Sequence, residues 1–109
     1  MAEITLEAQD FLRQHIRAVW QLELLIYFKK CGKAQSVWEV SRALQMEPVA
    51  AEDCVKSFAS KQILVEVEHG RYLFSPAAIL SKAIDETERI YSQRRPTVIN
   101  FIYAQPTGS

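Results

Sequence analysis

Apolar residues recur three and four apart at Leu12, Ile16, Val19, Trp20, Leu24, Leu25 and Phe28, within a stretch from Thr5 to Lys30 that contains neither glycine nor proline. That spacing gathers them on one side of an α-helix, so the stretch predicts one long helix or two in succession. Lys29 and Lys30 suit the negative end of the helix dipole, and Gly32 is placed to be a left-handed cap. Ser36-Val37-Trp38-Glu39 has the form of a capping box, in which the Ser hydroxyl accepts the amide three residues on and the Glu reaches back. The helix it opens carries Val37, Val40 and Leu44 on its apolar stripe. After a turn of about four residues, Pro48 fits the first position of a third helix, where its missing N–H costs nothing. That helix sets Ala51, Val55 and Phe58 on one face and Glu52, Asp53, Lys56 and Ser60 on the other, and ends near Lys61.

Beyond Ile63 the period changes from helical to two. Val65 and Val67 alternate with Glu66 and Glu68, His69-Gly70 interrupts, and Tyr72 and Phe74 share a face, which together predict a β-hairpin. Ser75-Pro76 then opens a long helix over 77–95. Its stripe of Leu80, Ile84, Thr87 and Tyr91, flanked by Ile79, Ala83 and Ile90, is wider than one wall of a small domain needs. Pro96 kinks or restarts it, Val98, Ile99, Ile102 and Tyr103 make a last apolar turn or two, and 105–109 reads as a tail. The expected fold is mainly α with a small β-hairpin, in one domain over 1–104 whose core spans 19–76.

Composition narrows the functional classes. The chain has 109 residues, 49% of them hydrophobic, enough for one domain with a real core. Thirteen Lys plus Arg balance thirteen Asp plus Glu, so attraction to nucleic acid or acidic membranes is not built into the net charge. No apolar run approaches the ~20 residues of a membrane span, and MAEITLEAQD lacks the regions of a signal peptide, so a cytoplasmic protein that does not engage membrane is expected. His15, Cys31, Cys54 and His69 fall in four different elements without metal-ligand spacing, and no cofactor or metal is expected. Cys54 reads as a small buried hydrophobe, whereas Cys31 lies between Lys30 and Lys33, cations that stabilise a thiolate, at a helix end whose dipole opposes them. No nucleophile triad, Gly-rich phosphate loop or carboxylate pair stands out, which argues against an enzyme. Trp20 and Trp38 read as core fillers, and Arg94-Arg95 as cations closing a helix.

Helix, short turn, helix, hairpin is the order of a winged helix-turn-helix, and from Val19 to Pro76 the chain resembles the winged-helix domains of MarR-like bacterial transcriptional regulators. The resemblance is carried by Ser36-Val37-Trp38-Glu39-Val40-Ser41 as the positioning helix and by Pro48-Val49-Ala50-Ala51-Glu52-Asp53-Cys54-Val55-Lys56-Ser57-Phe58 as the recognition helix. Lys61-Gln62-Ile63-Leu64-Val65-Glu66 matches the exit into the wing. The family implies transcription regulation by a homodimer, with double-stranded DNA met by the helix-turn-helix and wing. The dimer helices would be the first fifteen or so residues and 77–103, with Ile79, Leu80, Ala83, Ile84, Ile90 and Tyr91 at the interface.

Lys33, Arg42, Lys56 and Arg71 are the side chains best placed for phosphate. The sequence departs from DNA-reading relatives where they carry Ser, Thr or Arg, having Val49, Ala50, Glu52 and Asp53 instead. From Ala34 to Ile63 three cations meet four carboxylates, and in the hairpin Arg71 meets Glu66 and Glu68, so both surfaces are slightly acidic. Acidic side chains oppose a duplex that bears one negative charge per ~1.7 Å. Two readings stay open: a DNA-contacting regulator, and a winged-helix adaptor that binds no nucleic acid and meets a basic protein partner.

Overall fold

Residues 4–104 are described by the computed structural model; the expected tail, 105–109, lies outside them. Among the described residues, six helices and three short strands follow one another. The first apolar stretch forms two helices, α1 (Leu6–His15) and α2 (Val19–Cys31), with Ile16 in extended conformation at the break. Thr5 caps α1 through its hydroxyl, which accepts the Ala8 amide at 3.3 Å. Gly32, at φ +67°, takes the left-handed backbone after α2, and its N–H donates to the Phe28 carbonyl at 3.2 Å. Strand β1 (Gln35–Ser36) leads into α3 (Val37–Leu44), α4 (Pro48–Ser60), β2 (Leu64–Glu68) and β3 (Arg71–Phe74), and then into α5 (Ala78–Gln93) and α6 (Arg95–Tyr103).

By its contacts the chain divides into two compact units, one comprising 4–22 with 78–104 and the other Glu23–Ala77. In the first, α5 packs against α1 and α6. Its buried residues include Ala8, Phe11 and Leu12 of α1, Ile84, Thr87, Ile90 and Tyr91 of α5, and Val98 and Ile102 of α6. The breadth of the α5 stripe reflects these two neighbouring helices: one helix cannot meet two others through a narrow seam.

In the second unit, α3 and α4 pack together and α4 packs on β2. Phe28, Val40, Ala51, Val55, Phe58, Ile63 and Leu64 are buried almost completely. The sheet is antiparallel in the order β1-β3-β2, so the hairpin gains a third strand from the residues just before α3. Gly70, at φ +78°, makes the hairpin turn, and the ladder slips between Glu66 and Glu68. The register sets Leu64 and Glu66 on one face, beside Phe74 and Tyr72, and Val65 opposite Leu73 on the other. Leu64 and Tyr72 are buried, while Val65 and Val67 stand exposed.

The structure departs from the sequence expectation in three places. Trp38 is 59% and Trp20 39% exposed, so neither fills the core. Arg94 and Arg95 do not close α5, which ends at Gln93; Arg94 is the N-cap of α6 and Arg95 its first residue. The Arg95 guanidinium instead lies 4.9 Å from the Tyr91 ring centre, a cation–π contact that offsets its place at the positive end of a helix. The long helix also stops two residues before its expected end at Arg95, because Pro96 restarts the chain as α6.

Candidate functional site

The capping box sets the first turn of α3 and with it the direction of Trp38. Glu39 N–H donates to the Ser36 hydroxyl at 3.1 Å, and Ser36 N–H donates to Glu39 Oε1 at 2.8 Å. Val40 and Ser41 are buried, and Trp38 lies about 100° around the helix from Val37, off the apolar stripe. The indole therefore stands at the surface. Arg42, one turn on, holds its guanidinium 5.9 Å from the Trp38 ring centre.

Trp38, with Ser36 and Val37, forms one wall of a groove of about 550 Å³ in the second unit. Glu52 and Lys56 of α4 form another, and Glu66, His69, Gly70 and Tyr72 of the hairpin complete it. Lys56 Nζ lies 2.8 Å from Glu52 Oε2, an i,i+4 pair on one face of α4. Its hydrogen bond with that carboxylate and the carboxylate's charge raise the lysine pKa, as do Tyr72 and Asp53 nearby. Glu66 Oε2 accepts the Gly70 amide at 2.8 Å and so braces the hairpin turn. Among its carboxylates and ammonium groups, the lining sets Glu52 and Glu66 against Lys56 alone.

Of the four expected phosphate contacts, two are paired with carboxylates and a third rests on an aromatic ring. Arg71 donates to the Ala34 carbonyl at 2.9 Å, and its guanidinium lies 3.2 Å from Glu39 Oε1 and 3.5 Å from Glu68 Oε1. This guanidinium thus ties the residue before β1, the first turn of α3 and the hairpin together. Glu39 in turn is held below the usual carboxylate range, first by the Ser36 amide and also by Arg71. Lys56 is paired with Glu52, Arg42 rests on Trp38, and Lys33 is exposed just after the Gly32 cap. At the start of α4, Glu47 is the N-cap and makes no side-chain cap bond, Val49 is exposed, and Glu52 and Asp53 follow on the surface. No Ser, Thr or Arg offers a phosphate a hydrogen bond there.

The expected interface residues of the long helix divide by burial. Ile84, Ile90 and Tyr91 are buried within the single chain, Leu80 and Ala83 are half-buried, and Ile79 is 87% exposed. Cys54 is buried and its thiol is pushed up to about 12 by that burial, the position of a core residue. His15, Cys31, Cys54 and His69 make no metal cluster, there being no candidate group of metal-binding side chains among the described residues. No helix among the described residues is long and apolar enough to cross a membrane. Trp38 is the groove residue that sequence reasoning misplaced; its offset from the Val37, Val40 and Leu44 stripe was the available signal. Comparison of the chain with family models, curated proteins and solved structures gives no match.

Proposed function

We propose that this protein is a non-enzymatic winged-helix adaptor, whose groove between α3, α4 and the hairpin binds a protein partner. The observation that carries the reading is Trp38, an exposed indole on the wall of a groove whose lysine and neighbouring arginine are already bound to carboxylates. Aromatic residues that stand in a partly enclosed surface are the usual anchors of protein interfaces. The element order α2, β1, α3, α4, β2, β3, with β1 joining the hairpin, supports the winged-helix assignment. Within it α4 holds the place of the recognition helix. Contact with DNA through that helix would need cations that can leave their present partners, and Lys56 and Arg71 would each abandon a carboxylate to meet a phosphate.

Self-association belongs to the same proposal and rests on Ile79, with Leu80 and Ala83 beside it on α5. Ile79 is the residue of the expected interface that the single chain leaves most open to a second copy.

The adaptor and the DNA-binding regulator predict opposite outcomes for Glu52→Ser combined with Asp53→Arg. If the two carboxylates alone hold a working recognition helix off DNA, the folded double variant gains duplex affinity, and each new phosphate contact steepens the salt dependence by ~0.9. The adaptor reading predicts no gain in fluorescence anisotropy on random duplex, with the fold verified by circular dichroism. A clear gain would favour the regulator.

A further inference from the structure

We propose that the occupant of the groove is a cationic side chain, arginine or lysine, presented by a segment of the partner protein. The inference rests on the protein-binding reading above and names the chemistry of its partner. Charge complementarity and the indole point the same way. The lining brings Glu52 from α4 and Glu66 from the hairpin to a single groove, against one ammonium, Lys56, which Glu52 already neutralises. Glu66 spends one oxygen on the Gly70 amide, but that neutral bond leaves its charge in place. An anionic ligand would face this carboxylate without an unpaired cation in the lining. A purely apolar side chain would leave the carboxylate partly stripped of water and unmatched, at a cost in desolvation.

Trp38 favours the same charge in the groove. Its ring attracts cations electrostatically, and in this structure it already holds the Arg42 guanidinium. Trp38 lines the groove and is 59% exposed, whereas Arg42 is not among the lining residues, so the cation that the indole holds does not close the groove. A guanidinium or ammonium entering there would have Trp38 beside it on the α3 side and Glu66 on the hairpin side. The partner's charge would then be matched by both a carboxylate and an aromatic ring, a combination suited to arginine above all.

Three fluorescein-labelled synthetic peptides of equal length test this by anisotropy against the full chain: one alternating Arg with Ala, one with Gln for Arg, and one with Glu for Arg. The Arg peptide should bind saturably, more weakly as salt rises, and in preference to the other two. Glu66→Gln keeps an oxygen for the Gly70 amide while removing the charge, so that variant should fold as before and bind the Arg peptide about fivefold more weakly or worse. Trp38→Ala should weaken it roughly two- to fivefold, the range of an exposed cation–π contact. Equal binding of the Arg peptide by the native chain and Glu66→Gln would overturn the inference, as would its failure to bind. If the Gln or Glu peptide binds as tightly as the Arg peptide and Trp38→Ala abolishes it, the groove is a protein site of different chemistry: the inference fails while the adaptor reading stands. Binding of duplex DNA in place of any peptide defeats both.

Discussion

Ser36 and Glu39 each satisfy the other's backbone amide, and Arg71 fastens the same carboxylate to the hairpin. Because the folded-state pKa of Glu39 lies below its unfolded value, the ionised carboxylate favours the folded state at neutral pH. That contribution is complete above the usual carboxylate range and is lost as pH falls through the lowered folded-state pKa. Urea unfolding across this acid window should therefore show a decline that is shallower in Glu39→Gln, whose side chain does not titrate. An unchanged acid slope in that variant would mean that Glu39 is not linked to stability. Ser36→Ala should cost ~1 kcal/mol at neutral pH, the usual worth of an N-cap. The capping box was legible because its two residues lie three apart in sequence. Arg71 was singled out for phosphate because an arginine on a wing has that appearance, and its partners, Ala34, Glu39 and Glu68, are mostly distant in sequence. Trp38 was misread for another reason: its size argued for burial, whereas its angular position on α3 decided its exposure.

Helix α4 joins core and surface most closely. Its inner face was legible from the three- and four-residue spacing, and Ala51, Val55 and Phe58 are all buried as that spacing requires. Phe58 is 1% exposed, so Phe58→Ala should destabilise the protein by ~3–5 kcal/mol in denaturant unfolding. A loss below about 1 kcal/mol, the level of surface sites, would contradict the packing described for α4. Pro48, Gly32 and Gly70 likewise marked element ends because each has a backbone restriction or freedom that side-chain packing does not supply. The hairpin shows where this legibility stops. Its period of two identified the strands, but period alone does not say which face turns inward, and Val65 and Val67 proved to be exposed. The third strand was invisible because a two-residue element has no period, and it forms only once β3 is there to pair with.

The chain resolves into two compact units, and the terminal helices expected from sequence to form a dimer make up most of one of them. The wide α5 stripe suggested a dimer from sequence, yet Ile84, Ile90 and Tyr91 are buried in the isolated chain, so replacing them would test folding and not assembly. Ile79→Glu is the informative variant, since an exposed position tolerates the charge. The native protein should sediment as a dimer at high micromolar concentration and Ile79→Glu as a folded monomer; a monomeric native protein would remove the homodimer from the proposal.

Lys56 and Arg71 are engaged with carboxylates near the exposed Trp38, and on the proposed adaptor function they stay so in the presence of duplex DNA. The most direct test is the titration of fluorescently labelled random duplex DNA with the native protein at about 50 mM salt, a concentration at which phosphate-binding domains hold DNA tightly. Flat anisotropy throughout is the predicted result. Saturable binding whose logarithm falls steeply with the logarithm of salt concentration would count several phosphate contacts and contradict the account, because those cations would then have left their carboxylates for the duplex.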